Sequence, residues 1–444
     1  VIGTVAGGSG EDILNYAGYQ RAINISISGV DSTGWSGIES GLTGGFSGID
    51  IVQGSSRSDS FTGMNEIATF DLAPNSMVYR VHGFSLQLIS LENIFGGNQA
   101  DTFNINGTLN LNLSGAEGDD TFIFQDKAVL NGSLDGGEGK DRIDWSLYQS
   151  AQKAVLTGLG SVDGFNGTLG IIRSAFLNIN GLVGSARADT LTGVNNDAVF
   201  NRSTGQYSSG NTLDFSGFAI LQGGQGNDTF IISEESDFAG KIDGGAGGID
   251  TLDYSGYKAQ VTVDLAKGTG TGINSASEKS VSGIEKIIGS STHDNNLKGD
   301  KGNNIFVAGS ANNILAGGQG NDTYVFLAGW GTTTILENNN EGTDTLDASA
   351  IDSKLTFYFE NDGHRVVNED GNTISCDNNV ENYMGGSNDD TFRFRDEAVV
   401  RGTIDGGQGH DLLAGLGGPG EHDAVHPRCD QFPAMVIASK ERLH

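Results

Sequence analysis

The stretch from Gly289 to Phe326 constrains the fold of this chain more than any other. It repeats one short pattern four times, as GSSTHDNNLK, GDKGNNIFV, AGSANNILA and GGQGNDTYVF. Each copy is a hexad, mostly Gly-rich, that ends in Asp or Asn and is followed by a few residues with an apolar one among them. Three copies keep a nine-residue period, and the first carries one extra residue. The sixth positions are Asp294, Asn304, Asn313 and Asp322. A nine-residue period of this composition is typical of stacked parallel β-helix coils.

Hexads of the same kind recur along the whole chain. Their sixth positions, outside the stretch above, are Asp12, Asp59, Asp101, Asp120, Asp141, Asp189, Asp228, Asp250, Asp390 and Asp411. Several of them, and Asp322 of the stretch above, begin a β-type segment: DTFNI, DTFIF, DTFII, DTYVF or DTFRF. Because side chains alternate along a strand, we expect one face to carry a row of buried aromatic rings. These are Phe103, Phe122, Phe230, Tyr324 and Phe392.

A longer unit is visible three times, at DTFIFQDKAVLNGSLDGGEGKD, DTFIISEESDFAGKIDGGAGGID and DTFRFRDEAVVRGTIDGGQGHD. Its two hexads lie about 21 residues apart, close to one turn of a solenoid. A second element places a short strand before a hexad, as in GIDIVQGS, SLENIFGG, GIEKIIGS and NVENYMGG. No helical periodicity stands out, although segments such as 146–154 leave room for short helices. We therefore predict an all-β fold, a right-handed parallel β-helix or β-roll solenoid with Gly/Asp-rich calcium-binding turns.

The repeats divide the chain into three predicted β-solenoid modules. They span residues 1–134, 135–242 and 243–414, and the last contains the nonapeptide cassette 289–326. Residues 415–444 lack the hexad and hold three of the four Pro. They are predicted to be an irregular or disordered tail or the product of a reading-frame slip, with a secretion or docking signal as the alternative. Val1 lies within repeat-like sequence that no signal-peptide pattern precedes, so we expect a fragment or a processed chain.

The composition excludes several classes of partner. The chain holds 56 acidic and 25 basic residues, a formal net charge of −31, whereas nucleic acid and anionic membranes attract Lys/Arg patches. No apolar run approaches the length of about 20 residues that spans a bilayer. With only two Cys, disulfides do not hold this fold together, and a bound metal could do so instead.

The hexads suit calcium because their residues supply oxygen ligands. Gly lets the backbone turn its carbonyls toward a cation, and the sixth-position Asp supplies a carboxylate. Without an ion, carboxylates stacked about 5 Å apart repel by about 3 kcal/mol per pair at an effective dielectric constant near 20. Calcium would reverse the sign of that interaction.

Hexads one coil apart are the best candidate calcium sites. Asp101, Asp120 and Asp141 form a predicted triple stack, and three further pairs are Asp228 with Asp250, Asp390 with Asp411, and Asp322 with Asp344. In the cassette, Asp294 is expected near Asn313 and Asn304 near Asp322, each pair offering one carboxylate instead of two. Asp12 completes the candidate ligands. A hexad can also be a tight turn without a metal, which is the favoured interpretation at Asp59 and Asp189.

The cassette and its lead-in, VTVDLAKGTGTG followed by GIEKIIGSSTHDNNLKGDKGNNIFVAGSANNILAGGQGNDTYVF, resemble the RTX (haemolysin-type calcium-binding repeat) proteins of bacteria. The likeness covers about residues 250–350, and the remaining coils are more similar to degenerate repeats of large bacterial surface and adhesin proteins. It implies a calcium-stabilised parallel β-roll, type I secretion and folding on meeting extracellular calcium. Asn304 and Asn313 depart from the family's sixth-position Asp, and the end ASKERLH is unlike its secretion signal.

A search for catalytic motifs finds no HExxH helix, no GxSxG elbow and no P-loop. We expect a non-enzymatic, extracellular, calcium-binding structural or adhesive segment of a surface or secreted protein. Its candidate partners are calcium, polysaccharide or other cell-surface ligands, and further copies of the chain in a surface layer or fibre. The alternative is a polysaccharide-active β-helix, a lyase or uronate epimerase, for which Tyr79, Arg80 and His82 are the compact candidates.

Overall fold

A computed structural model describes residues 3–185, 187–233, 238–274, 279–395, 397–416 and 437–439. These residues form strands and turns and contain no helix, in agreement with the predicted all-β class. The chain divides into two compact units. Unit 1 comprises Val1–Phe200 and Thr204–Gly226, and unit 2 comprises Asn201–Ser203 and Asn227–His444. The three modules 1–134, 135–242 and 243–414 stay a prediction beside this division.

Strands β1 to β27 begin in unit 1. They are β1 Val5–Ala6, β2 Ile13–Asn15, β3 Asn24–Asp31, β4 Gly34–Glu39, β5 Leu42–Ile49, β6 Ile51–Gln53, β7 Ser60–Thr62, β8 Thr69–Ala73, β9 Ser76–Val81, β10 Phe84–Ile89, β11 Asn93–Phe95, β12 Thr102–Ile105, β13 Thr108–Leu109, β14 Asn112–Glu117, β15 Thr121–Phe124, β16 Val129–Leu130, β17 Leu134–Glu138, β18 Arg142–Asp144, β19 Lys153–Leu159, β20 Phe165–Leu169, β21 Ile172–Ile179, β22 Gly181–Val183, β23 Thr190–Thr192, β24 Ala198–Asn201, β25 Gln206–Ser209, β26 Asn211–Ser216 and β27 Ile220–Gln222.

Strands β28 to β48 lie in unit 2. They are β28 Asp228–Ile231, β29 Lys241–Asp243, β30 Thr251–Asp253, β31 Val261–Asp264, β32 Thr269–Gly270, β33 Val281–Ser282, β34 Lys286–Ile288, β35 Asn295–Lys298, β36 Ile305–Val307, β37 Asn313–Ala316, β38 Thr323–Leu327, β39 Thr333–Ile335, β40 Thr345–Ala350, β41 Leu355–Glu360, β42 Gly363–Asn368, β43 Thr373–Cys376, β44 Asn382–Met384, β45 Thr391–Arg395, β46 Ile404–Gly407, β47 Leu412–Leu416 and β48 Ile437–Ser439. The predicted tail thus includes the end of β47 and the whole of β48, and its remaining residues lie outside the described part of the chain.

Parallel pairing stacks the coils in each unit. In unit 1, β8, β12, β15, β18, β22 and β26 pair in sequence order. In unit 2, the series is β28, β30, β34, β36, β38, β40, β44 and β46. A second parallel series in each unit, for example β35, β37 and β39, forms another wall of the coil. This is the β-roll or β-helix architecture that the repeats predict.

The core is a set of aromatic columns inside the coils. Phe103 stacks between Phe70 and Phe122 with ring centroids 4.5 and 4.7 Å apart, and all three rings are fully buried. In unit 2, Tyr324 stacks on Phe306 at 5.4 Å. The predicted inward row is confirmed, because Phe103, Phe122, Phe230, Tyr324 and Phe392 are all buried.

Some coils are lengthened by antiparallel hairpins, which the sequence pattern did not predict. Each adds a three-stranded meander, as in β3–β4–β5, β8–β9–β10, β19–β20–β21 and β41–β42–β43. We call these meanders flanges. A coil without a flange is short: Thr102 pairs with Thr121, and Ile305 pairs with Thr323. Where a flange intervenes, Thr69 pairs with Thr102 and Thr345 pairs with Asn382. The flanges therefore keep the parallel register while changing the period.

Candidate metal centre

The residue at the sixth position of each complete hexad turns its side chain back into the coil. Asp120 and Asp141 have no exposed surface, and Asp101 is 1% exposed. The first Gly of the hexad makes this possible, since a Cβ at Gly115 would lie 2.0 Å from Oδ2 of Asp120. The fourth-position Gly118 has a φ of +110°, a conformation that side chains rarely adopt. The hexad composition therefore builds a pocket for one carboxylate.

Successive carboxylates are linked through the backbone in what we call the carboxylate ladder, formed by Asp101, Asp120 and Asp141. The backbone N–H of Asp101 donates to Oδ1 of Asp120 at 2.7 Å, and that of Asp120 donates to Oδ1 of Asp141 at 2.9 Å. Each carboxylate thus accepts from the coil before it. The three predicted stacked residues are brought together at separations of 19 and 21 residues.

The other predicted pairs adopt the same geometry in unit 2. The N–H groups of Asp228, Asp322 and Asp390 donate to Oδ1 of Asp250, Asp344 and Asp411, at 2.8, 2.8 and 2.9 Å. Asn304 lies next to Asp322, as expected, and its N–H donates to Oδ1 of that residue at 2.6 Å.

In other coils the acceptor is an acidic residue from the short strand that precedes a hexad. The sequence analysis did not identify these residues as part of the site. Glu92, Glu285 and Glu381 accept from the N–H groups of Asp59, Asp250 and Asp344, at 2.8, 2.9 and 2.8 Å. Asp50 does the same for Asp12 at 2.9 Å. The signal was present, because each of the lead-ins GIDIVQGS, SLENIFGG, GIEKIIGS and NVENYMGG contains one acidic residue at the same position.

The second oxygen of several of these carboxylates has no hydrogen-bond partner. Among the described residues, Oδ2 is buried and unpartnered in Asp12, Asp120, Asp141, Asp322 and Asp411. Burial raises the pKa of Asp120 to about 8 and those of Asp141 and Asp322 to about 7. Burial also raises the pKa of Asp250 to about 7 and those of Asp101, Asp344 and Asp390 to about 6. Buried carboxylate oxygens without donors fit a hard cation such as calcium, which takes oxygen ligands.

Two degenerate hexads satisfy their Asp with the protein itself. Asp59 accepts from the N–H of Ile23 and from the N–H and hydroxyl of Ser55. Asp189 accepts from Ser185 in the same way and from Nε1 of Trp145 at 3.1 Å. Both are fully buried, so Ser and Trp donors stand here where Asp120, Asp141 and Asp322 leave an oxygen free. Asp101 and Asp390 also accept at both oxygens, but from backbone N–H groups.

The cassette contains a neutral counterpart, which we call the amide ladder: Asn295, Asn313 and Thr333. Nδ2 of Asn295 donates to Oδ1 of Asn313 at 2.8 Å, and Nδ2 of Asn313 donates to Oγ1 of Thr333 at 3.1 Å. The predicted stacking of Asp294 near Asn313 is wrong, because Asn295 pairs in register with Asn313. The extra residue in the first copy moves Asp294 to the exposed side, where it accepts from Asn312.

A third carboxylate joins the Asp322–Asp344 pair. Glu337 brings a side-chain oxygen to within 4.8 Å of oxygens of both aspartates, and all three residues are buried. Glu337 begins the turn ENNNEGTD and lies outside the hexad pattern, so the repeat signal could not single it out.

The residues considered for a polysaccharide-active site do not converge. Tyr79 is fully buried in the core, where its hydroxyl accepts from the N–H of Met64. Arg80 and His82 are exposed and contact Asp71 and Glu66 respectively. One buried side chain and two exposed ones do not form a common cleft.

A family comparison agrees with the geometry at the cassette. Residues 290–324 and 403–419 match the RTX calcium-binding nonapeptide repeat, in four copies. The chain carries RTX calcium-binding repeats. RTX nonapeptide repeats bind calcium, and RTX repeat proteins are typically structural and secreted.

The RTX match covers the amide ladder residues Asn295 and Asn313 together with Asn304, Asp322 and Asp411. The carboxylate ladder lies outside it. No curated protein matches the chain. In the described residues there is no helix of the length and apolarity needed to cross a membrane.

Proposed function

We propose that this chain is an extracellular calcium-binding repeat segment of a bacterial surface or secreted protein. Its role is structural or adhesive and non-enzymatic, and it folds when it meets calcium. RTX repeats in the chain support the calcium dependence and an exported setting. The proposed ligands are the sixth-position aspartates, foremost those with a buried and unpartnered oxygen: Asp120, Asp141, Asp322 and Asp411.

The observation that carries the proposal is the repeated unpartnered carboxylate oxygen. Asp120 and Asp141 use one oxygen for the backbone of the preceding coil and leave the other buried without a donor. An uncompensated buried charge costs several kcal/mol. Because this cost recurs from coil to coil, a calcium-free chain carries a penalty that rivals the stability of a domain. Calcium turns the same residues into cross-links between coils.

The negative charge of the chain, together with bound calcium, is compatible with binding anionic polymers outside the cell. A net charge of −31 repels other anionic polymers directly, but bound calcium can bridge two sets of carboxylates. Anionic polysaccharide, other cell-surface ligands and further copies of the chain are therefore the proposed partners. Type I secretion, implied by the RTX resemblance, is part of the proposal.

Circular dichroism of the full chain in calcium and in excess EGTA tests the proposal. We expect a strong β-sheet signal and a cooperative melting transition in calcium, a weaker signal and a much lower melting temperature in EGTA, and the return of both when calcium is restored. Magnesium at the same concentration is the control, because it demands near-octahedral geometry and dehydrates reluctantly. An identical spectrum and melting temperature in calcium and EGTA would refute the calcium dependence.

A further inference from the structure

Asp322, Glu337 and Asp344 form an enclosed group that we call the Glu337 cluster. Their exposed fractions are 0%, 4% and 1%. Each contributes a side-chain oxygen to a set whose members lie within 4.8 Å of one another. The ion pairs of the described residues include none to these three side chains. Three carboxylates that are buried and lie this close together require protons or a cation to offset their mutual repulsion.

The hydrogen bonds of the cluster leave two oxygens free. Oδ1 of Asp322 accepts from the N–H of Asn304, and Oε1 of Glu337 accepts from the N–H of Gly317 and the hydroxyl of Tyr324. Oδ1 of Asp344 accepts from the N–H of Asp322. Within the described part of the chain, Oδ2 of Asp322 and Oε2 of Glu337 are buried and have no partner.

The backbone around the cluster holds the carboxylates close to Gly317. A Cβ at Gly317 would lie 2.1 Å from Oδ2 of Asp322 and 2.6 Å from Oε1 of Glu337. Glycine is therefore required for both side chains to reach the same place. The N–H of Glu337 donates to Oδ2 of Asp377 at 3.1 Å, and its carbonyl accepts from Nδ2 of Asn379 at 2.9 Å. The turn that carries Glu337 is thereby tied to the following coil.

We propose that Asp322, Glu337 and Asp344 together bind one calcium-type divalent cation, with Glu337 as a ligand from outside the hexads. The site differs from a pair of stacked hexads because its third carboxylate comes from the first residue of an eight-residue turn. The inference rests on the proposed calcium binding of the chain and extends it to a new position. It also makes this end of the cassette a three-carboxylate site, although the hexad pattern counts only two acids there.

The test compares Glu337→Gln with Glu341→Gln in the full chain. Both variants remove one negative charge from the same turn, but Glu341 is half-buried and lies outside the cluster. Bound calcium per chain is measured by equilibrium dialysis, and melting temperature is measured in calcium and in EGTA. We expect Glu337→Gln to bind one calcium fewer than the parent and to gain less in melting temperature from calcium. Glu341→Gln should match the parent in both.

A calcium count for Glu337→Gln equal to that of the parent would overturn the inference and leave the proposed function intact. A parent chain that binds no calcium would overturn both. Terbium luminescence gives a second measurement that does not depend on the folding of Glu337→Gln. Because Tyr324 contacts Glu337, we expect tyrosine-excited terbium emission from the parent to fall in Tyr324→Phe, and unchanged emission would contradict the site.

Discussion

The carboxylate ladder and the amide ladder use the same backbone geometry with opposite electrostatics. In both, a buried residue follows a Gly-rich turn and meets its equivalent one coil away. An amide can donate and accept, so Asn295 and Asn313 bond side chain to side chain and stay neutral. A carboxylate can only accept, so Asp120 and Asp141 each bond to one backbone N–H and leave Oδ2 without a partner.

The difference shows that coils can stack in this geometry without requiring a cation. The amide ladder satisfies its own polar groups, and we expect its coils to hold together without calcium. The carboxylate ladder reaches the same stacking with Oδ2 of Asp120 and of Asp141 unpartnered, so these two acids need a proton or a cation. Asn313 at the sixth position of its hexad therefore marks a coil that has exchanged a ligand for a hydrogen bond.

The pH dependence of stability without calcium should give the largest effect, because several carboxylates act together. Burial raises the pKa of Asp120 from 3.8 to about 8, so this group is protonated more readily in the folded than in the unfolded chain. Its stabilising contribution is full below pH 4 and is lost as the pH rises to about 8. We expect the melting temperature in EGTA to fall over that interval, measured by calorimetry.

The carboxylates with lowered pKa values do not interfere in that interval. Hydrogen bonds to Arg80 lower the pKa of Asp71, and its contribution changes only below its unfolded value of 3.8. Burial lowers the pKa of His364 from 6.5 to about 4, so this one group opposes the trend between those values, whereas the several raised carboxylates act together. With calcium present the trend should reverse, because deprotonated ligands bind the ion more tightly. A melting temperature in EGTA that is constant or rises from pH 4 to pH 8 would contradict the unpaired carboxylates.

Introducing a charge into the amide ladder should give the next largest effect. Nδ2 of Asn313 donates to the carbonyls of Gly309 and Ala311 and to Thr333. Asn313→Asp removes these donors and places a buried carboxylate against the two carbonyls. We expect a loss of about 3–5 kcal/mol in EGTA, measured by urea denaturation, and a partial recovery in calcium.

Asn303→Asp is the matched control for this change. Asn303 lies in the adjacent hexad, is exposed, and uses only its oxygen, which accepts from the N–H of Asn321 at 2.8 Å. An Asp retains that acceptor, so little change is expected. Equal stabilities for the two variants would show that the amide ladder is not a closed network.

Converting the carboxylate ladder to amides should give a smaller effect of the opposite sign. Asp120→Asn with Asp141→Asn keeps both Oδ1 acceptors and removes two buried charges. We expect a gain of about 1–3 kcal/mol in EGTA and a loss relative to the parent in calcium, because two ligands are gone.

Asp59→Asn serves as the control of this second comparison. Every oxygen of Asp59 already faces a donor from Ile23 or Ser55, so an amide NH₂ group would meet another donor. We expect Asp59→Asn to destabilise the chain in both calcium and EGTA. A double variant that behaves like Asp59→Asn would mean that the unpartnered oxygens carry no penalty.

The sequence predicted the elements whose spacing is set by the coil. Hexads 19 to 22 residues apart stack as expected, since a short coil leaves no room for another register. Phe103 and Phe122 point inward because alternation fixes the face of each side chain.

Elements that break the period could not be predicted from the repeat. The flange β41–β42–β43 separates Asp344 from its partner Glu381 by 37 residues, which hides their equivalence. Its turns at Asp362-Gly363 and Asp370-Gly371 are hairpin signals that a local search would find. Glu337 has no such signal, because only the folded turn brings it to Asp322.

The backbone-to-carboxylate bonds also give the array a direction. Each carboxylate of the ladder accepts from the coil before it, and each N–H donates to the coil after it. The first position therefore needs a donor, which Ala68 supplies to Asp101 at 2.8 Å. The last position needs an acceptor, which Asn180 supplies to Asp141 at 3.2 Å. An engineered array cut from these coils would need two chemically different end pieces, and exchanging them would leave a buried acceptor at one end and a buried donor at the other.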